Sequence, residues 1–424
     1  MKKYEFSGIL LQKKFYGILL LGFASGLPYM LVFSTLSAWL RDVGISLTEI
    51  GFFAWLVLTY SLKFLWAPFV DRYSVIGFRI FGKRRGWILF SQFMIFLSLI
   101  GMSLIDPLQN LKILALLAFF AAFFGSIQDI AIDALRIEIG DAKEQGDLAA
   151  SYQFGYRVAI LVATSMALIF ADLFNWSYVY QLMGLLMLIG AAGAIICNEP
   201  HNDEIVILRF DSALIESIKD FFSRFGLWAS ALLLFIISTY RLTDIVMGPM
   251  AMPFYLDLGF SKTEIGALVK TIALFGSIVG FFIGGFLIKT ISLFNALLVG
   301  GICVMITNLF FAFVASMDAN LSLLSIIVGL DSFAAGLVGT VNIAFLTSLV
   351  SKKFTAVQYA LLTSFMMLPG KLFSGFSGLL ADYYISLSSL QIGWTYFFYS
   401  TTAMSIPALL LIIAYKKTYA DHTV

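Results

Sequence analysis

Residues 15–40 read FYGILLLGFASGLPYMLVFSTLSAWL, a run with no charge, preceded by Lys13 and Lys14 and closed by Arg41 and Asp42. One bilayer crossing takes about 20 apolar residues, so this run spans with room for tilt. It is longer than the core of a secretory leader and no A-x-A-like cleavage site follows it, which predicts a retained first span. Within it Gly26-Leu27-Pro28 interrupts the helical pattern. Pro28 has no backbone donor, which predicts a kink that can turn polar backbone toward cargo.

Working outward, hydropathy broken by charges and turn residues predicts spans at 15–40, 48–70, 86–105, 111–136, 147–171, 176–196, 227–256, 263–287, 292–314, 320–349, 356–380 and 392–414. Twelve spans of about 20 residues use about 240 positions, and 60% of the 424 residues are hydrophobic. Only 12% are charged, about half the share of a soluble protein. An ordinary soluble enzyme is excluded, and the fold class expected is an all-α integral membrane protein with twelve transmembrane helices.

With the N-terminus placed in the cytoplasm, the inner segments hold 19 of the 27 Lys and Arg, whereas the outer loops hold only Arg41, Lys112 and Lys262. That asymmetry predicts that both termini are cytoplasmic. The longest polar interruption then divides the chain into a six-helix bundle at 1–197, a cytoplasmic linker at 198–226 and a second six-helix bundle at 227–424. In the linker, Leu214, Ile215, Ile218, Phe221, Phe222 and Phe225 recur at helical spacing opposite Glu216, Lys219 and Asp220. An amphipathic helix hugging the inner membrane surface is expected there. The halves echo one another: Lys63 with Lys270, Asp129 with Asp331, Arg157 with Lys371, and Ala171-Asp172 with Ala381-Asp382. Weak internal symmetry of this kind marks secondary transporters built from repeats.

Several chemistries fall away. The formal charge is +2 with no basic-aromatic interleaving, so nucleic acid is not a partner. Cys197 and Cys303 stand alone, which argues against a metal site or a disulfide framework. No GxxxxGK[ST] loop is present, so energy is expected from a gradient, without a cofactor. Gly375-Phe376-Ser377-Gly378 matches the GxSG of intramembrane serine proteases, but His201 and His422 both lie in polar segments. The serine has no histidine base in the membrane, and an enzyme is not expected.

An ionisable side chain within a span costs several kcal/mol unless it is paired or faces water, so each is a functional candidate. Lys63, Arg157, Arg241, Lys270 and Lys371 stand against Asp129, Asp244 and Asp331, a cationic excess that suits an anionic substrate. At 1.5 Å per residue Asp129 and Arg157 lie at roughly similar depth on antiparallel neighbours, as do Asp331 and Lys371, which makes two candidate ion pairs. Asp129 and Asp133 share one face at i and i+4 with Gln128 beside them, which makes Asp129 a proton-carrying candidate. The plainer reading gives Asp133 to Arg136 and Asp129 to Arg157. Trp39, Trp55, Trp66, Tyr60, Tyr152 and Tyr156 suit a sugar-binding cavity, although interfacial anchoring is the commoner use of such residues. Gly22 with Gly26, and Gly280 with Gly284 and Gly285, predict close helix contacts. Asp71 and Arg72, with Lys83, Arg84 and Arg85, form the charged loop between spans two and three.

In these residues the chain resembles the AmpG-type muropeptide permeases of the major facilitator superfamily. The resemblance runs through nearly the whole length: GFASGLP at 22–28, KFLWAPFVDRY at 63–73, GKRRGW at 82–87, QDIAIDA at 128–134 and GYR at 155–157. It continues in YRLTD at 240–244, GFSKTEIG at 259–266, SLFNALL at 292–298 and QYALLTS at 358–364. It implies the major facilitator fold, two pseudo-symmetric bundles rocking about a central site, with the 71–85 loop as a gate. It also implies proton-driven import of anhydro-muropeptides across a bacterial inner membrane, by a monomer embedded in the bilayer. Gly26, Gln128, Asp129 and Asp133 match family sites. The chain departs at Arg241, where the family often has Lys, and at Asp331, where it often has Glu; charge sign is kept. Relatives linked to acetyl-CoA make another anionic metabolite the alternative cargo, and a membrane sensor or hydrolase ranks below that.

Overall fold

The computed structural model describes residues 13–140, 145–199, 210–351 and 355–419, and the regular elements among them are helices. Ten are long and apolar enough to cross a membrane: α1 (Lys13–Asp42), α3 (Lys83–Ser103), α4 (Pro107–Ile139), α5, α6 (Trp176–Ile196), α8 (Leu227–Asp257), α9 (Lys262–Thr290), α10 (Leu293–Ala315), α11 (Leu321–Ser348) and α14 (Leu390–Tyr419). Helix α5 opens as Gln145–Leu161 and passes through a π turn at Val162–Met166 into Ala167–Leu173.

The other two expected spans are broken. Span two is α2 (Leu47–Ser61), whose middle tightens to 3-10 geometry at Ala54–Val57, followed by a separate short helix at Ala67–Arg72 with Pro68 in its first turn. Span eleven is α12 (Thr355–Ser374), a turn at Gly375-Phe376, and α13 (Ser377–Leu387). Broken helices at membrane depth are tolerated only where neighbouring protein or a cavity satisfies the freed backbone.

Local sequence sets the helix starts. Asp106 accepts from the Leu108 amide with Pro107 following it, and Asn175 accepts from Tyr178. Ser46 with Glu49, and Ser261 with Glu264, close reciprocal capping boxes at the first turns of spans two and eight. These boxes belong to an internal repeat, S-x-T-E-I-G at 46–51 and 261–266.

The chain forms two compact units. One takes the described residues up to Ile45 and from Leu56 to 199; the other takes Ser46–Trp55 and the described residues from 210 onward. In the first, α1 packs on α5 and α6, and α3 on α4 and α6, around Ile18, Leu21, Ile88, Ile132 and Leu135. In the second, α9 and α10 pack on α11, and α8 packs on α12 and α14. Phe282 and Phe286 of α9 are 77% and 63% exposed, the face expected of a helix that lipid covers.

Glycines let backbones touch. A Cβ on Gly22 would strike the Tyr152 carbonyl, and one on Gly155 the Leu19 carbonyl, which fixes the α1–α5 crossing. Gly280 and Gly284 meet α11 in the same way, but among the described residues nothing lies near the Cβ position of Gly285, so its expected packing role is corrected.

The expected amphipathic helix is α7 (Phe210–Phe225). Phe221 is buried in the second unit's core with Phe222 and Phe225 against it, whereas Ile215 and Ile218 stay exposed. Gln358, buried at the start of α12, donates to the Ser217 carbonyl at 3.0 Å and to Asp220 at 2.9 Å, and accepts from Arg224 at 3.0 Å. Arg224 also donates to the Leu349 carbonyl. The linker helix is therefore clamped to protein and does not merely rest on lipid. Gly226, at φ +75°, makes the turn into α8.

Candidate functional site

In the first unit the intramembrane acid is Asp129, on α4. Pro28 of α1 has no amide to give the carbonyl of Ala24, four residues earlier. Gln128 Nε2 of α4 donates to that carbonyl at 2.8 Å, in place of the amide that Pro28 lacks. That contact presents the next residue, Asp129, to α1, where Ser25 donates to its Oδ1. Ser25 Oγ also lies 2.7 Å from the Tyr152 hydroxyl of α5. Gly26, on the same turn of α1, leaves room for the Tyr156 carbonyl.

The hydroxyl partner corrects the expected Asp129–Arg157 ion pair: Arg157 lies exposed on α5, while Asp129 takes its hydrogen bond from α1. One turn along α4, Asp133 lies 3.6 Å from Arg136 and 3.8 Å from Lys63. The plainer reading of Asp133 therefore holds, with Lys63 added to it.

The second unit repeats the theme. Asp331 of α11 accepts from Thr307 of α10 at 2.8 Å. Again a hydroxyl meets the acid where the sequence reading expected a cation, Lys371, which is buried on α12 just after Pro369-Gly370. Arg241 sits where α8 breaks after Tyr240, and its Nη2 lies 3.6 Å from Asp244. The neighbouring Asn308 accepts from Thr401, whose carbonyl accepts from Thr243. The side chains of Lys270, Asp71 and Arg72 lie outside what the structure describes.

The basic loop cluster is engaged within its own unit. The Arg84 guanidinium grips Glu138 at 2.6 Å, and Glu199 accepts the Arg84 and Arg85 amides at 2.7 and 3.0 Å. A carboxylate there complements the N-terminus of α3, which starts at Lys83. Arg85 also reaches the Ile195 carbonyl at 3.4 Å.

Several aromatics expected near a cavity have structural duties. Trp39 is buried against Trp176 and Tyr180, Trp66 donates to Ser126, and Trp55 to the Leu372 carbonyl. Tyr60 keeps an open part: its ring meets Tyr29 edge-on at 5.1 Å, and its buried hydroxyl has no hydrogen-bond partner among the described residues. Ser377 of the GxSG match donates to the Ser374 carbonyl at the end of α12. Sequence reasoning missed Ser25, Thr307 and Thr48. The S-x-T-E-I-G repeat carried a signal for Thr48; the two hydroxyls carried none, because an isolated Ser or Thr in a span is common.

Comparison with known proteins gives a consistent picture. The family model for the Major Facilitator Superfamily matches residues 18–374. The anhydromuropeptide permease of Escherichia coli (strain K12) is 33% identical over 403 residues, covering 95% of this chain and 79% of that one. A Rickettsia felis protein named as an AmpG transporter is 32% identical over 411 residues, covering 95% and 97%. Among solved structures, the nucleoside transporter NupG is similar with a TM-score of 0.75 at 14% identity, over 95% of this chain and 99% of that one. The D-xylose-proton symporter gives 0.69 at 13% identity, over 97% of each. At such identities the likeness concerns the fold.

Proposed function

The chain belongs to the Major Facilitator Superfamily, in its AmpG-type branch, and from that premise we propose that it imports anhydromuropeptides into the bacterial cytosol together with protons. It is a multi-pass membrane transporter and not an enzyme. The observation that carries the reading is the pair of carboxylates, Asp129 and Asp331, each on the equivalent span of its half and each met by a hydroxyl. An acid fixed in a tight ion pair is locked in its charged form; one met by a hydroxyl is free to gain and lose a proton. The cations Lys63, Arg157, Arg241, Lys270 and Lys371 supply attraction for an anionic sugar-peptide. Tyr60 and Tyr156, which face Asp129, offer ring faces for its sugars. Asp71, Arg72, Lys83, Arg84 and Arg85 form the inner gating loop, both termini lie in the cytoplasm, and a monomer suffices.

The test is uptake of labelled anhydromuropeptide by proteoliposomes under an inward proton gradient, with unlabelled competitors. Competition by muropeptides and none by coenzyme A thioesters supports the reading. The reverse pattern would keep the transporter and replace its cargo.

A further inference from the structure

We propose that Ser25 and Tyr152 form a hydroxyl relay that carries the proton between Asp129 and the end of α4 where Asp133 sits. The relay deepens the proton-coupled reading above and rests on it. Three oxygens stand in series: Asp129 Oδ1, which accepts from Ser25; Ser25 Oγ; and the Tyr152 hydroxyl, 2.7 Å further on. Ser25 is 1% exposed, so bulk water does not reach the middle member and the proton must pass along fixed groups. The spacing is held by backbone: with Gly22 and Gly155 lacking a Cβ, α1 and α5 touch beside Tyr152.

Beyond Tyr152 the surroundings change. The Arg136 guanidinium lies 5.9 Å from its ring, and Arg136 pairs with Asp133, whose side chain is 40% exposed. The far end of the relay thus opens on a partly solvated carboxylate, while the near end is enclosed. Packing alone explains a phenylalanine at 152; the hydroxyl is what the relay adds. Besides Ser25, Asp129 is faced by Lys63 and Tyr60 from span two and by Asp133 on its own helix, with Tyr152 and Tyr156 from α5. Of these, only Tyr152 is hydrogen-bonded to Ser25.

On release, the O–H bond of the Asp129 carboxyl breaks as its proton bonds to Ser25 Oγ. The serine's own proton passes to the Tyr152 oxygen, and the phenolic proton leaves to Asp133 or to water beside it. Asp129 ends as a carboxylate, and Ser25 and Tyr152 each end with one proton. Ser25 donating to Asp129, as in the structure, is the arrangement reached once both hydroxyls have turned back.

The experiment compares Tyr152→Phe and Ser25→Ala with wild type in proteoliposomes, by two assays on labelled anhydromuropeptide. One is accumulation driven by a proton gradient; the other is exchange between preloaded and external substrate, which needs no net proton release. Proton transfer through a positioned group is worth about 100-fold or more, so gradient-driven accumulation by Tyr152→Phe should fall at least about 10-fold while exchange stays within about two-fold. If both assays stay at wild-type level, or both fall in parallel, the relay is wrong. Should Ser25→Ala fail to fold, Tyr152→Phe decides alone, because it keeps the ring. A wild type that exchanges substrate without responding to a proton gradient would instead overturn the proton-coupled reading itself.

Discussion

Gln128 Nε2 donates at 2.8 Å to the carbonyl of Ala24, the one main-chain acceptor that Pro28 leaves without its helical donor. A buried carbonyl left unpaired costs about 1–3 kcal/mol, so the two residues should be coupled in stability. Gln128→Ala is expected to lower the unfolding temperature, and Pro28→Ala, which restores the amide, should recover part of that loss. A double-mutant cycle of thermal unfolding in detergent measures it, with a coupling of roughly 1–2 kcal/mol expected. Strict additivity would show that Gln128 does not act through the proline-freed carbonyl.

A second relationship fixes the start of span two. Asp382 Oδ2 of α13 accepts from both the amide and the hydroxyl of Thr48, each at 2.7 Å, at the N-terminus of α2, where a negative charge is favoured. Charge-assisted bonds are worth about 1.5–3 kcal/mol, and Gly51 and Gly378 let the two helices approach closely. Asp382→Ala should therefore lower thermal stability clearly, and Thr48→Ala less, because the amide bond survives. Equal losses for both would contradict the amide's share.

The clamp on the linker helix makes a third prediction. Gln358→Leu removes one side chain that bonds Ser217, Asp220, Arg224 and the Ser351 amide. It leaves several partners unsatisfied in a buried setting, at a cost of about 2–4 kcal/mol. Hydrogen exchange at the α7 amides should accelerate in this variant more than exchange in α10. Unchanged protection of α7 would show that Phe221 and its neighbours hold the helix unaided.

The long spans were legible because an apolar run of membrane length is the strongest signal a sequence gives. The breaks in spans two and eleven were not: hydropathy reports composition, and continuity of the i to i−4 ladder depends on Pro68 and on the turn at Gly375-Phe376. Lys63, Asp129 and Asp331 stood out as charges among apolar neighbours. Their partners did not, since Ser25 is 104 residues from Asp129 and nothing local ties them together. Depth along a helix suggested Arg157 for Asp129, but depth leaves rotation about the helix axis open, and rotation sends Arg157 to the surface. For α7 the apolar face was readable, while the clamp on its polar groups depends on Gln358, far along the chain.

On the proposed reading, substrate brings protons in through Asp129. The most direct measurement is internal acidification, read by a trapped pH-sensitive dye, when anhydromuropeptide is added to proteoliposomes holding an inward substrate gradient and no initial pH difference. Wild type should acidify the lumen, and Asp129→Asn, folded as judged by thermal unfolding, should not. Substrate uptake by wild type without acidification, or acidification undiminished in Asp129→Asn, would contradict the account.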